Sequence, residues 1–269
     1  MSPQSPAASI GIFDSGFGGL SVMRAIRATL PYENLIYFGD TARLPYGSKS
    51  ADTILRYSIE NASFLIAQGI KVLVIACNTA CAVAFEELQK MFSIPIIGII
   101  SPGVEEVVRT TTGGLIAILG TRRTISSGVY QQLIENVIPY AEISAISCPL
   151  FVPLVEEGYI EHPLAEMIVQ EYLRPLKRKE IDTVLLGCTH YPLLQTHIQK
   201  ELGPHVILVD PAMNCAEKLR ILLQERSLQN EQQHLPHYQF FVSDDPEKFR
   251  LLGKTFLNYP IEHVLQNQT

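Results

Sequence analysis

The chain has 269 residues, of which 47% are hydrophobic and 18% charged, and its formal net charge is −6. Such a chain can bury one large core or two of ordinary size, and it has the composition of a globular protein. The acidic balance argues against nucleic acid or an anionic membrane as partner, since both call for clustered Lys and Arg.

The apolar pattern alternates strand and helix. Ile10 to Phe13 reads as a strand and Gly18 to Thr29 as a helix, apolar at Leu20, Val22, Met23 and Ile26. Leu35 to Phe38 is the next strand, followed by a loop holding Arg43-Leu44-Pro45-Tyr46-Gly47. Ser50 caps a helix that runs to Gln68, with Gly69 as its stop. Val72 to Ala76 is a third strand, Thr79 to Met91 a helix, and Pro95 to Ile100 a fourth strand.

The pattern then restarts. A helix begins near Pro102 and ends at Gly113-Gly114, and Leu115 to Leu119 is a strand. Helix Thr124 to Val137, strand Ile143 to Ser147, helix Pro163 to Leu173, strand Val184 to Leu186, helix Pro192 to Leu202 and strand Val206 to Val209 follow. Alternation of this kind predicts parallel strands joined by right-handed crossovers. Glu225 to His237 is polar and Gln-rich and reads as an exposed loop, after which Tyr238 to Val242 is a strand and Pro246 to Leu257 a helix. A lone strand and helix need a partner, so the tail is expected to pack on the first half. The domains predicted are 7–100, completed by 211–269, and 101–210.

No apolar run approaches the roughly 18–20 residues of a membrane span. Met1 to Ser9 has neither a basic residue nor an apolar stretch and is not read as a secretory signal. The one dense basic run, Lys177-Arg178-Lys179, reads as a solvated helix end. Five cysteines, an odd number without framework spacing, predict reduced thiols and a cytoplasmic location.

Two segments echo one another. Val72-Leu73-Val74-Ile75-Ala76-Cys77-Asn78-Thr79-Ala80 and Thr183-Val184-Leu185-Leu186-Gly187-Cys188-Thr189-His190-Tyr191-Pro192 are each an apolar run ending in cysteine, with threonine within two residues. Ligands in open α/β sheets sit beyond the carboxyl ends of the strands, where both thiols fall. A lone cysteine is more often a small buried apolar residue. Two at matching strand ends, from half-molecules facing across a cleft, instead suggest an acid and a base on opposite faces of one carbon. That is the geometry of a racemase. Cys81, Cys148 and Cys215 read as core packing; Cys77 and Cys81 alone do not make a metal site.

Asp14-Ser15-Gly16-Phe17-Gly18-Gly19 closes the first strand and opens a helix. Its glycines permit a tight turn with N–H groups facing an anion, and Asp40 stands where a dinucleotide loop would hold its ribose-binding acid. The third glycine of that fingerprint is replaced by Ser21, so a small ammonium-bearing ligand suits the loop better. His190, two residues after Cys188, can hold or relay a proton, or form a plain structural hydrogen bond. Glu156-Glu157-Gly158 reads on its own as a solvated loop.

These segments together resemble the glutamate racemases of the aspartate/glutamate racemase superfamily. The likeness rests on Gly11-Ile12-Phe13-Asp14-Ser15-Gly16 with Gly18-Gly19-Leu20, Pro45-Tyr46-Gly47, Ala76-Cys77-Asn78-Thr79-Ala80, Val155-Glu156-Glu157-Gly158 and Leu186-Gly187-Cys188-Thr189-His190-Tyr191-Pro192-Leu193-Leu194. The resemblance implies two pseudo-symmetric α/β domains, each a mostly parallel sheet flanked by helices, with the active site in the cleft between them. It implies cofactor-independent racemisation that supplies D-glutamate for peptidoglycan, no metal, and a homodimer. By position, Cys77 would take the α-proton of D-glutamate and Cys188 that of L-glutamate. Asp14 and His190 would assist, with Asp40 and Glu156 as weaker members. Asp14, Ser15, Pro45, Tyr46, Gly47, Asn78, Thr79, Thr121, Thr189 and His190 match substrate-contacting positions. Cys81 stands where serine is common, and Pro211 replaces a small hydroxyl residue. Other readings are an isomerase of aspartate, hydantoins or maleate-like diacids, a nucleotide-binding protein, and a non-catalytic binder of small anions.

Overall fold

The computed structural model describes residues 5–177, 179–232 and 235–267. Residues 1–4 of the amino-terminal segment, Arg178 of the basic run, and Gln233 and His234 of the polar tail loop lie outside the described residues. The described chain divides into two compact units, Ile100–Pro211 and the chain on either side of it.

The first unit is a six-stranded sheet. Its strands are β1 (Ile10–Asp14), β2 (Leu35–Gly39), β3 (Val72–Ile75), β4 (Ile96–Gly98), β9 (Tyr238–Val242) and β10 (Leu265–Gln266), in the order β10-β9-β2-β1-β3-β4. Every pairing is parallel. Helices α1 (Leu20–Thr29), α2 (Ala51–Ala67), α3 (Asn78–Met91), α10 (Ala212–Glu225) and α11 (Pro246–Leu257) accompany it. All residues of β1, β2 and β3 are buried. A parallel sheet covered on both faces gives its strands no solvent side, which is why they read as continuous apolar runs. Each such aliphatic side chain contributes about 1.5–3 kcal/mol on burial. Register places Asp14 opposite Gly39, and Phe13 opposite Ile75, so Asp14, Asp40 and Cys77 leave the sheet at one edge.

The second unit repeats that plan in four strands. These are β5 (Leu115–Gly120), β6 (Glu142–Ser147), β7 (Thr183–Gly187) and β8 (Ile207–Val209), all parallel, in the order β6-β5-β7-β8. The order matches β2-β1-β3-β4 strand for strand. Cys77 follows the third strand of its unit and Cys188 the third strand of the other. The pseudo-symmetry is thus one of topology. Its helices are α4 (Ile100–Thr110), α5 (Arg122–Ser127), α6 (Val129–Glu135), α7 (Phe151–Glu156), α8 (Pro163–Leu173) and α9 (Gln195–Leu202).

Local signals account for some boundaries. The Ser50 side chain accepts from the Thr53 amide, and Gly69, at φ 76°, ends the turn after α2. The tail returns to the first sheet, where β9 pairs with β2.

Several elements depart from the sequence reading, the short strand β10 (Leu265–Gln266) among them. The helix expected over Thr124 to Val137 is two, because Gly128 adopts φ 71° and ends α5 while starting α6. Phe151–Glu156 is a helix that Pro149 and Pro153 obscured; Pro153 lies in its first turn, where no intrahelical N–H is needed. Pro192 opens no α-helix: Tyr191–Leu194 is 3-10, and α9 begins at Gln195. The unassigned stretch after Pro211 is α10, whose buried Cys215, Ala216, Leu219 and Leu223 recur at helical spacing. Pro211 immediately precedes it, a position where a missing N–H costs nothing.

Candidate active site

In the first unit, the turn after β1 is drawn inward. The Gly16 amide donates to Asp14 Oδ2 (2.9 Å), the Tyr37 hydroxyl donates to the Gly16 carbonyl (2.9 Å), and the Asp40 amide donates to the Asp14 carbonyl (3.1 Å). Asp14 is fully buried. Gly19 is required here, since a Cβ would stand 2.6 Å from that of Asp14. Gly16, expected to offer its N–H to an anion, spends it on Asp14. Tyr37, which the sequence did not flag, is held well above the usual phenol range by burial and by the charges of Asp14 and Cys77. It stays a neutral donor.

Cys77 caps α3. Its Sγ accepts from the Ala80 amide (3.4 Å) and lies 3.6 Å from Ser15 Oγ. The sulfur therefore sits on the positive end of a fourteen-residue helix, which favours negative charge there. Asn78 and Thr79 are the buried first residues of the same helix.

Asp40 lies at the end of β2, and its carboxylate accepts from Arg43 Nε (2.8 and 2.9 Å), Ser243 Oγ (2.9 Å) and the Tyr46 hydroxyl. Tyr46 also accepts from Asn61 Nδ2 (3.0 Å), and burial beside Asp40 raises its phenol far out of the titrating range. Asp40 is an anchor for the loop carrying Pro45, Tyr46 and Gly47, where the sequence reading gave it a weak catalytic part. The Tyr46 side chain is turned inward. Arg43 and Ser243 were missed: Ser243 comes from the tail, with no local signal linking it to Asp40.

In the second unit, Cys188 follows β7 directly, but the turn and the 3-10 segment separate it from α9. Its support is a side chain instead. His190 Nδ1 lies 3.9 Å from Cys188 Sγ, and Nε2 lies 3.0 Å from Glu156 Oε1. Burial pushes the His190 imidazolium down, but the Cys188 sulfur and the Glu156 carboxylate outweigh it and raise the group to about 10. His190 is therefore a cation at neutral pH. Glu156, which reads as solvated from sequence, closes α7 with its side chain only 9% exposed and turned to His190. Thr189 is buried, and Thr121 caps α5 after β5, its hydroxyl accepting from the Thr124 amide (3.2 Å).

Two of the remaining cysteines are held as neutral thiols, and the third is a packing residue. Burial and the nearby Cys188 push the Cys148 thiol far up, and burial takes Cys215 to about 12. Cys81 Sγ fills the space that a side chain at Gly98 would occupy. All five cysteines are buried and reduced.

Residues 10–218 match the Asp/Glu/Hydantoin racemase family. The chain belongs to that family. A glutamate racemase from Syntrophus aciditrophicus (strain SB) is 44% identical over 95% of this chain and 94% of its own. The glutamate racemase of Francisella tularensis subsp. tularensis SCHU S4, solved with D-glutamate, superposes with a TM-score of 0.92 at 38% identity, covering 98% of each chain. That of Thermus thermophilus, solved with beta-chloro-D-alanine, gives 0.88 at 38% identity over 98% of each. The protein is an amino-acid racemase, an isomerase with a small-molecule substrate. Among its described residues no helix is long and apolar enough to cross a membrane, and no cluster of His, Cys, Asp or Glu is arranged to hold a metal.

Proposed function

We propose that this racemase interconverts L- and D-glutamate without a cofactor, with Cys77 and Cys188 as its two acid/base groups. The observation that carries the reading is topological. Each unit ends its third strand in a buried cysteine, and each cysteine has its own source of positive potential. The near full-length likeness to glutamate racemases supports the substrate.

In the proposed reaction the two thiols address opposite faces of one Cα. With D-glutamate, the Cys77 thiolate takes the α-proton, the electron pair of the C–H bond stays on the substrate, and the Cys188 thiol delivers its proton to the other face. L-Glutamate runs the cycle in reverse, so the thiols exchange protonation states at each turnover. The α-proton is a very weak acid, and charge developing on the α-carboxylate must meet donors already in place. Ser15, Asn78, Thr79, Thr121 and Thr189 are the candidates, with Asp14 for the ammonium group and the Pro45–Gly47 loop for the distal carboxylate. The cationic His190 stabilises negative charge arising at Cys188, as the α3 N-terminus does at Cys77. His190 is held in that role by Glu156.

The same reading places the enzyme in the cytoplasm as a homodimer supplying D-glutamate for peptidoglycan. Sedimentation of the purified protein tests the dimer, and a sedimenting monomer would remove it. The decisive assay follows racemisation of L-glutamate by loss of ellipticity with no cofactor added. Aspartate is the control, because a pocket built for the longer diacid leaves buried polar groups unpaired around the shorter one, at about 1–3 kcal/mol each. Glutamate should be turned over at least tenfold faster per unit concentration than aspartate. Aspartate matching it would move the assignment to aspartate racemisation and leave the two-thiol chemistry standing.

A further inference from the structure

The tail that returns after α10 does more than widen the first sheet. At the end of β9, Ser243 is buried and faces the turn that follows β2. Its Oγ donates to Asp40 Oδ1 (2.9 Å) and accepts from the Ala42 amide (2.9 Å). One hydroxyl thus fixes both the carboxylate and the backbone of the 40–42 turn. The next residue repeats the grip: the Asp244 amide donates to Thr41 Oγ1 (2.9 Å), and the Thr41 hydroxyl donates to the Asp244 carbonyl. Asp40 in turn receives the Tyr46 hydroxyl, so the position of Tyr46 depends on where that carboxylate points. Arg43 Nε donates to both oxygens of Asp40, while its guanidinium also donates to Asn61 Oδ1 (3.1 Å) and lies over the Tyr57 ring at 4.2 Å.

We infer that Ser243 is a positioning residue for the substrate loop, acting through Asp40 and Tyr46 on the backbone of Pro45–Gly47. The inference rests on the reading of that loop as the binder of the distal carboxylate of glutamate. Ser243 touches no reacting atom. Its effect is on how often the loop is in its binding geometry, and a partly populated binding-competent state lowers apparent affinity in proportion.

The test compares wild type with Ser243→Ala and Ser243→Thr, the second retaining a hydroxyl on the same carbon. Ser243→Ala removes both bonds of this hydroxyl, which predicts a KM for glutamate at least about fivefold higher, with kcat falling less than KM rises. Ser243→Thr should restore KM to within twofold. Were Ser243 only a stabiliser of the fold, Ser243→Ala would lower the melting temperature without this split between KM and kcat. Hydrogen exchange of residues 41–49 without substrate reads the same coupling: Ser243→Ala should speed it, and Ser243→Thr should restore it. A Ser243→Ala enzyme with wild-type KM, or with unchanged exchange in 41–49, overturns the inference. If wild type failed to turn over glutamate, the substrate reading would fall, and the exchange comparison would still decide the part of Ser243.

Discussion

Replacing Glu156 by Gln tests the electrostatics of the second thiol with little change of shape. The amide oxygen can still accept from His190 Nε2 across the present 3.0 Å, but the negative charge is gone. An opposite charge at this range moves a pKa by about 1–3 units. His190 sits at about 10 because the Cys188 sulfur and Glu156 together outweigh burial. Without the carboxylate it should titrate about 1–3 units lower. The alkaline limb of the pH–rate profile should shift down by the same amount, to about 7–9, leaving about half or more of the activity at pH 7 and about half or less at pH 9. Racemisation of each enantiomer, followed by circular dichroism from pH 6 to 10, measures it. Because the enantiomers are equal in free energy, kcat/KM must fall equally in both directions; asymmetry can appear only in kcat and KM taken separately. Stability gives a second readout. A folded-state pKa raised from 6.5 contributes stability that is complete below 6.5 and is lost as pH rises through about 10. Denaturant unfolding should therefore show a loss between those values in wild type and a smaller one in Glu156→Gln. A variant whose pH–rate profile coincides with wild type would refute the assignment of His190 as a cation held by Glu156.

Cys77→Ala and Cys188→Ala should each abolish racemisation, since either direction needs an acid and a base, whereas Cys81→Ala and Cys215→Ala should keep most activity and lose only packing energy, about 1 kcal/mol each. Normal turnover by either of the first two would end the pairing. In D₂O, product should carry deuterium at Cα while substrate recovered early remains protiated; deuterium entering unreacted substrate ahead of racemisation would point to one exchangeable base. Lys71 and Glu33 form a buried ion pair at the opposite end of the first sheet, with the Asn230 amide also donating to Glu33 (2.8 Å). Lys71→Met strands the carboxylate and should cost about 3–5 kcal/mol of unfolding free energy, part of it recovered in Lys71→Met with Glu33→Gln; a loss below 1 kcal/mol by denaturant titration would contradict the pairing.

The strand–helix alternation and the places of Cys77 and Cys188 were legible in the amino-acid order, because both depend on local quantities. Buried parallel strands need short apolar runs, helix ends need Ser50 or Gly69, and a cysteine after such a run stands at a carboxyl edge wherever the strand is paired. Helix α10 was legible in principle from its spacing, and the break at Gly128 followed from one residue taking a left-handed conformation inside an otherwise helical pattern. What surrounds each thiol was decided only by the tertiary structure. Glu156 looks solvated in a Glu-Glu-Gly context, and is largely withdrawn from solvent because α7 turns it toward a histidine thirty-four residues on. Ser243 meets Asp40 across two hundred and three residues because β9 inserts beside β2. Sequence periodicity states which face of an element is apolar, but not which distant element covers it. The pairing of strands chooses those neighbours, and with them which charge supports each sulfur.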